Sequence, residues 1–112
     1  MAQRVEVGGW EQSCCGSEIV RGSTVRWTCI RTQDGQLYET HHDLEGLELA
    51  TVEGRVEDIE AVDKEGSPIP IARIPSGDAM NGWDSQDDGR LERLDTHELF
   101  EWKTERFIVT LI

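Results

Sequence analysis

Thr24 to Ile30 alternates residue by residue, with Val25, Trp27 and Cys29 on one face and Thr24, Arg26 and Thr28 on the other. Period-two alternation places one row against a core and the other in water, a division that helical spacing cannot make. Asp34-Gly35 follows shortly after, a dipeptide that accepts positive φ at both centres of a two-residue hairpin turn. Together these features commit the chain to antiparallel strands. A two-residue turn returns Gln36–Thr40 beside Thr24–Ile30, with Thr40 opposite Cys29 and His42 opposite Trp27. The histidines then lie near the start of the strand.

The rest of the chain repeats the theme in short pieces. Val5 and Val7 share a face against Arg4 and Glu6, which predicts an edge strand over 3–10. Residues 11–17, with Ser13, Cys14, Cys15 and Gly16, read as a turn or loop, and Arg21-Gly22-Ser23 as another turn. Leu44–Ala50 is open between a helical turn and the lead-in to a strand. Thr51–Val62 is strand-like, but the apolar spacing slips by one between Val56 and Ile59, which asks for a β-bulge near Glu57-Asp58. Lys64–Ser67 reads as a turn. Ile69–Ile74 is a short strand held to a sheet edge by Pro70. Residues 75–90 are the least structured stretch. Asp95 and Glu98 have capping-box spacing and predict a short helix over 96–104. Phe107–Ile112 is apolar on both faces apart from Thr110, as a central strand should be.

Composition agrees with strands. Ile and Val supply 16 residues against five Ala, and β-branched side chains suit a pleated surface. A chain of 112 residues has room for one core, so the expectation is a single domain over 1–112, mainly β. Glycine turns feeding Gly22-Ser-Thr-Val-Arg-Trp27 and Gly54-Arg-Val-Glu-Asp-Ile59 point to a small SH3-like or OB-like barrel with one short helix near the C-terminus.

The net charge of −12 is concentrated. Residues 41–66 carry nine acids against two bases, and residues 76–105 nine against three. Such a surface repels phosphate backbones and anionic lipid, which disfavours nucleic-acid binding and membrane docking. There is no charged-then-apolar leader and no apolar run near 18 residues. Three cysteines, two of them adjacent, do not make a disulfide framework, and reduced thiols in a cytoplasm are the simpler expectation.

The N-terminal half resembles a family of small, mainly actinobacterial proteins known only as a domain of unknown function. The residues that carry the resemblance are Trp10, Cys14-Cys15-Gly16, Gly22/Val25/Trp27, His41-His42, Gly54/Val56/Ile59 and the apolar Phe107–Ile112. Ser23 departs from the acidic residue expected after the glycine, and the acidic 76–105 stretch follows no pattern of that family. The resemblance implies no activity.

Four places could carry chemistry. Cys14, Cys15, His41 and His42 have the ligand types and number of a closed zinc site, but adjacent residues converge on one ion only from a turn. The competing expectation has one cysteine of the pair packing inward as a small apolar residue, with a histidine capping the barrel. A cysteine nucleophile would need His41, His42 or His97 as its base, and no nucleophile signature surrounds either thiol. Asp84 to Asp95 partly fits a calcium loop, with acids at positions 1, 5 and 12 and Gly89 at position 6, yet it lacks an entering helix. A solvated acidic loop fits it better. Trp83, flanked by Asp84, Asp87 and Asp88, is either an exposed aromatic for a basic protein partner or a plug over the barrel mouth.

These readings converge on a non-catalytic acidic binding module for a basic partner. A structural zinc protein is the first alternative, and an acidic mimic of nucleic acid the second. An uncovered strand at 3–10 or 69–74 would allow pairing with a second copy.

Overall fold

The computed structural model describes residues 2–39, 48–101 and 106–112. In chain order the elements are β1 (Gln3–Gly8), α1 (Gly9–Cys15), β2 (Ile19–Val20), β3 (Thr24–Arg31), β4 (Leu37–Glu39) and β5 (Leu49–Val62). Then come β6 (Pro68–Pro70), β7 (Arg73–Ile74), α2 (Gly77–Met80), β8 (Leu91–Glu92), β9 (Leu99–Phe100) and β10 (Arg106–Leu111). The fold is mainly β.

Six strands form the principal sheet in the order β10-β1-β4-β3-β5-β6, and β10 pairs with β5 as well. Hydrogen-bonded neighbours therefore run in a circuit, from β1 through β10, β5, β3 and β4 back to β1. Only the β1–β4 step is parallel; the other steps are antiparallel. The alternation read in the sequence sets what lies inside. Val5 and Val7 of β1, Cys29 of β3, Val52, Val56 and Ile59 of β5, and Phe107, Val109 and Leu111 of β10 form one buried cluster. Burying each of the larger side chains stabilises the fold by about 1.5–3 kcal/mol. Val25 and Trp27 pack against this cluster while half-buried.

The slipped spacing in β5 is a real bulge. Thr110 pairs with Asp58 and Leu111 with Val56, so Glu57 is the extra residue and both Val56 and Ile59 turn inward. Arg21 is the brace. Its guanidinium donates to the carbonyls of Ile71, Glu57 and Ile59 and pairs with the Asp58 carboxylate at 2.7 Å.

Four expectations need correction. The hairpin after β3 has a three-residue loop, so Cys29 faces Glu39 and Ile30 faces Tyr38, one residue out of the register predicted. Thr32 and Gln36 close the loop, Gly35 donates to the Thr32 carbonyl, and Gly35 takes φ +83°. The Asp34 carboxylate accepts from the Thr32 hydroxyl and the Gln36 amide, which fixes the longer turn. The continuation of that hairpin at Thr40 and His42 lies outside the described residues.

Strand β1 is not an edge; it lies between β10 and β4. The edge falls on β6, where Pro68 and Pro70 lack the N–H groups that another strand would need. Residues 9–15 form a helix, not a loop. No side chain caps its start, so the local sequence carries little helix signal, and packing supplies the stability.

The described part of the expected C-terminal helix, 96–101, is turn and strand. Asp95 accepts from the Thr96 amide and from Arg93 Nε, while Arg93 N donates to the Glu98 carbonyl, closing a β8–β9 hairpin. The spacing of a capping box is also the spacing of a tight turn, and strand pairing decides between them.

Candidate functional site

The acidic stretch after β7 is built on a contact between the two helices. Gly77, the first residue of α2, comes so close to α1 that a Cβ there would stand 2.6 Å from the Ser13 carbonyl oxygen. Its amide donates to the Gly16 carbonyl at 3.0 Å, and Asn81 Nδ2 donates to the Ser13 carbonyl at 2.6 Å. From α1, the buried Gln12 amide donates to the carbonyls of Ser17 and Pro75. Ser76 caps α2 by accepting from the Ala79 amide.

Beyond α2 the chain makes a run of aspartate turns. Asp84 accepts from the Gln86 amide, Asp87 from Gly89 and Asp88 from Arg90, each at 2.9–3.0 Å. Arg73 holds the loop from β7 by a two-pronged pair with Asp87, both contacts 2.8 Å, and it also reaches Glu18 at 2.8 Å. The Arg73 guanidinium, helped by the Gly89 amide, keeps the Asp87 carboxyl below its ordinary value. Trp83 donates its amide to the Asp78 carbonyl, while 73% of its surface stays open to water. It is not a plug. Trp10 on α1 is 70% exposed.

The predicted contact residues thus divide. Trp83, Asp84 and Asp88 are exposed on the loop, Asp84 accepting one backbone amide and Asp88 lying beside Arg90 at 3.7 Å, whereas both oxygens of Asp87 are held by Arg73. An exposed indole beside carboxylates suits a lysine or arginine side chain, by cation–π attraction and ion pairing together.

The thiols divide too. Cys14 and Cys15 are both exposed at the end of α1, so neither packs inward; Cys29 is the buried one. Burial, with the Glu39 carboxylate second, pushes the Cys29 thiol up to about 11. The neighbouring Cys14 thiol, with smaller contributions from desolvation and the charges of Glu11 and Glu39, raises Cys15 from its ordinary value. His41 and His42 lie outside the described residues. His97 sits in the β8–β9 turn at 3.5 Å from Glu92. Of the calcium-loop positions, Asp95 is engaged with Arg93, while Asp84 and Asp88 accept backbone amides of their own turns. Among the described residues no group of three or more His, Cys, Asp and Glu side chains is gathered as a metal ion would require.

Sequence reasoning missed Gln12, Arg73 and Glu39. A buried acid at position 39 follows from the corrected hairpin register, which sets it opposite Cys29. Arg73 and Gln12 act over separations of 14 and 63 residues, where no local pattern reaches.

A β scaffold that carries a fastened acidic loop with an outward tryptophan defines a small, mainly β module. The chain belongs to a family of unknown function, DUF6578, whose model matches residues 1–111. No curated protein and no solved structure matches it. Among the described residues no helix is long and apolar enough to cross a membrane.

Proposed function

We propose that this chain is a non-catalytic, cytoplasmic interaction module that receives a lysine- or arginine-rich segment of a protein partner at Trp83, Asp84 and Asp88. One observation carries the reading: Trp83 is exposed although its loop is fixed by hydrogen bonds on both sides of it. A fixed aromatic loses little conformational freedom on binding, so contact energy is kept as affinity. The surplus of acids in 76–105 would speed and orient the encounter. In this reading Asp87 is a brace and not a contact. The circuit of strands is a small barrel of the size of SH3-like and OB-like barrels, and it serves as scaffold only.

An arginine-rich peptide is a direct probe, titrated at about 0.15 M salt while tryptophan fluorescence is followed. Trp83→Ala should weaken binding roughly 3- to 30-fold, the range of a cation–π contact. Neutralising Asp84 and Asp88 should weaken it too. The reading falls if Trp83→Ala binds like the parent, or if neutralising Asp63 and Glu65 on the β5–β6 turn matters as much.

A further inference from the structure

We propose that Cys14 and Cys15 form a two-thiol exchange site, which low-molecular-weight disulfides close reversibly into a bond between the two neighbours. Both sulfurs are exposed and belong to adjacent residues, so no other part of the chain has to move to bring them together. The backbone around them can yield. Helix α1 has seven residues and ends at Cys15, and Gly16 is already extended, at φ −77° and ψ 144°. Closing a ring between adjacent residues therefore distorts one terminal turn and not a helix interior. The bond that turn would give up runs from the Gly16 amide to the Gln12 carbonyl, 2.9 Å long.

The same geometry makes the product easily reduced. Disulfides prefer Cα atoms about 4.4–6.8 Å apart, whereas neighbours along a trans chain stand roughly 3.8 Å apart. The resulting strain raises the reduction potential and places the bond among labile disulfides, not structural ones. The step is ordinary exchange. One protein thiolate attacks a sulfur of the small disulfide, forming a mixed disulfide and expelling one small thiolate. The second protein thiolate then attacks the protein sulfur of the mixed disulfide and expels the other. Two protein thiols are oxidised to one disulfide, and the small disulfide is reduced to two thiols.

The consequence would be felt across the helix pair. Gly16 offers its carbonyl to Gly77 of α2, and Gln12 reaches Ser17 and Pro75, so a distorted turn at 14–16 loosens the support of the acidic loop.

The test incubates the whole chain with oxidised glutathione under nitrogen and reads intact mass, then maps the tryptic peptide 5–21. The expected product is two hydrogens lighter than the reduced chain, retains no glutathione, carries its disulfide inside 5–21, and leaves Cys29 as a thiol. Cys14→Ser, a change at an exposed position, should instead stop at a stable glutathione adduct on Cys15. A stable adduct on the parent chain, a chain-to-chain disulfide, or an unreacted chain would each overturn the proposal. Hydrogen exchange should quicken at residues 12–17 and 77–82 in the oxidised form and return on reduction.

Discussion

The strand circuit and the acidic stretch from Ser76 to Glu98 are ordered by different means. In the circuit, backbone ladders carry the hydrogen bonds and buried aliphatic residues supply the free energy, with Val5, Val7, Ile59, Phe107 and Val109 fully enclosed. The acidic stretch buries little beyond Ala79 and Leu91. Its order comes from carboxylates that accept backbone amides and from the Arg73 clamp. A chain of net charge −12 can thus fix an acid-rich loop by turning its acids into backbone acceptors. The first region should fail by loss of packing, and the second by loss of charge or of close approach.

The largest effect belongs to the circuit. Phe107 lies in β10 between β1 and β5 and is wholly buried, so Phe107→Ala should cost about 3–5 kcal/mol. Against a typical total of about 5–15 kcal/mol, such a loss should move a urea midpoint strongly or unfold the chain. A midpoint near that of the parent would mean the strand circuit is not the stabilising unit.

Gly77→Ala probes the junction on which the acidic stretch rests. The added methyl would meet the backbone oxygens of Ser13 and Gln12, at 2.6 and 2.7 Å, and neither can swing aside as a side chain tip could. The expected cost is about 1–3 kcal/mol. Hydrogen exchange should show the loosening confined to α1, α2 and the following loop. If exchange in β3 and β5 rises equally, the two regions are not separable.

Asp87→Asn removes the charged partner of Arg73 and should cost about 1–2 kcal/mol at neutral pH. The sign with pH follows from the lowered Asp87 carboxyl. Its stabilisation is fully present above the unfolded carboxylate value of about 3.9 and is lost as pH falls through the lower folded value. The variant should therefore differ most from the parent above that range and converge with it in acid. A constant difference down to the acid limit would remove Asp87 as the source.

The same division explains what could be read from the sequence. The strands of the circuit announced themselves because alternation is a local signal, and even the bulge at Glu57 showed as a one-residue slip between Val56 and Ile59. The hairpin register did not, since Asp34-Gly35 fits turns of two and of three residues, and the Thr32 hydroxyl decides. Helix α1 was hidden because its stability comes from Gln12 and from contact with Gly77, neither of which is a local pattern. The site was legible in part. Trp83 among aspartates stood out, but Asp84, Asp87 and Asp88 look alike in sequence, and only Arg73, brought from β7, separates the brace from its neighbours.

Trp83→Ala should have the smallest effect on stability and the clearest effect on binding. The indole is largely in water, so its removal should shift stability by no more than about 0.5 kcal/mol. The aspartate turns and the Arg73 clamp do not involve its side chain, so the loop should keep its order, visible as unchanged exchange at residues 84–90. Binding of an arginine-rich peptide should nevertheless fall. Placed beside Asp87→Asn, this variant separates the two roles proposed for the loop: the clamp should lose stability first and affinity only through it, while the tryptophan should lose affinity alone. A Trp83→Ala chain that melts as early as Asp87→Asn would make the indole part of the brace and leave the acidic loop without its contact residue.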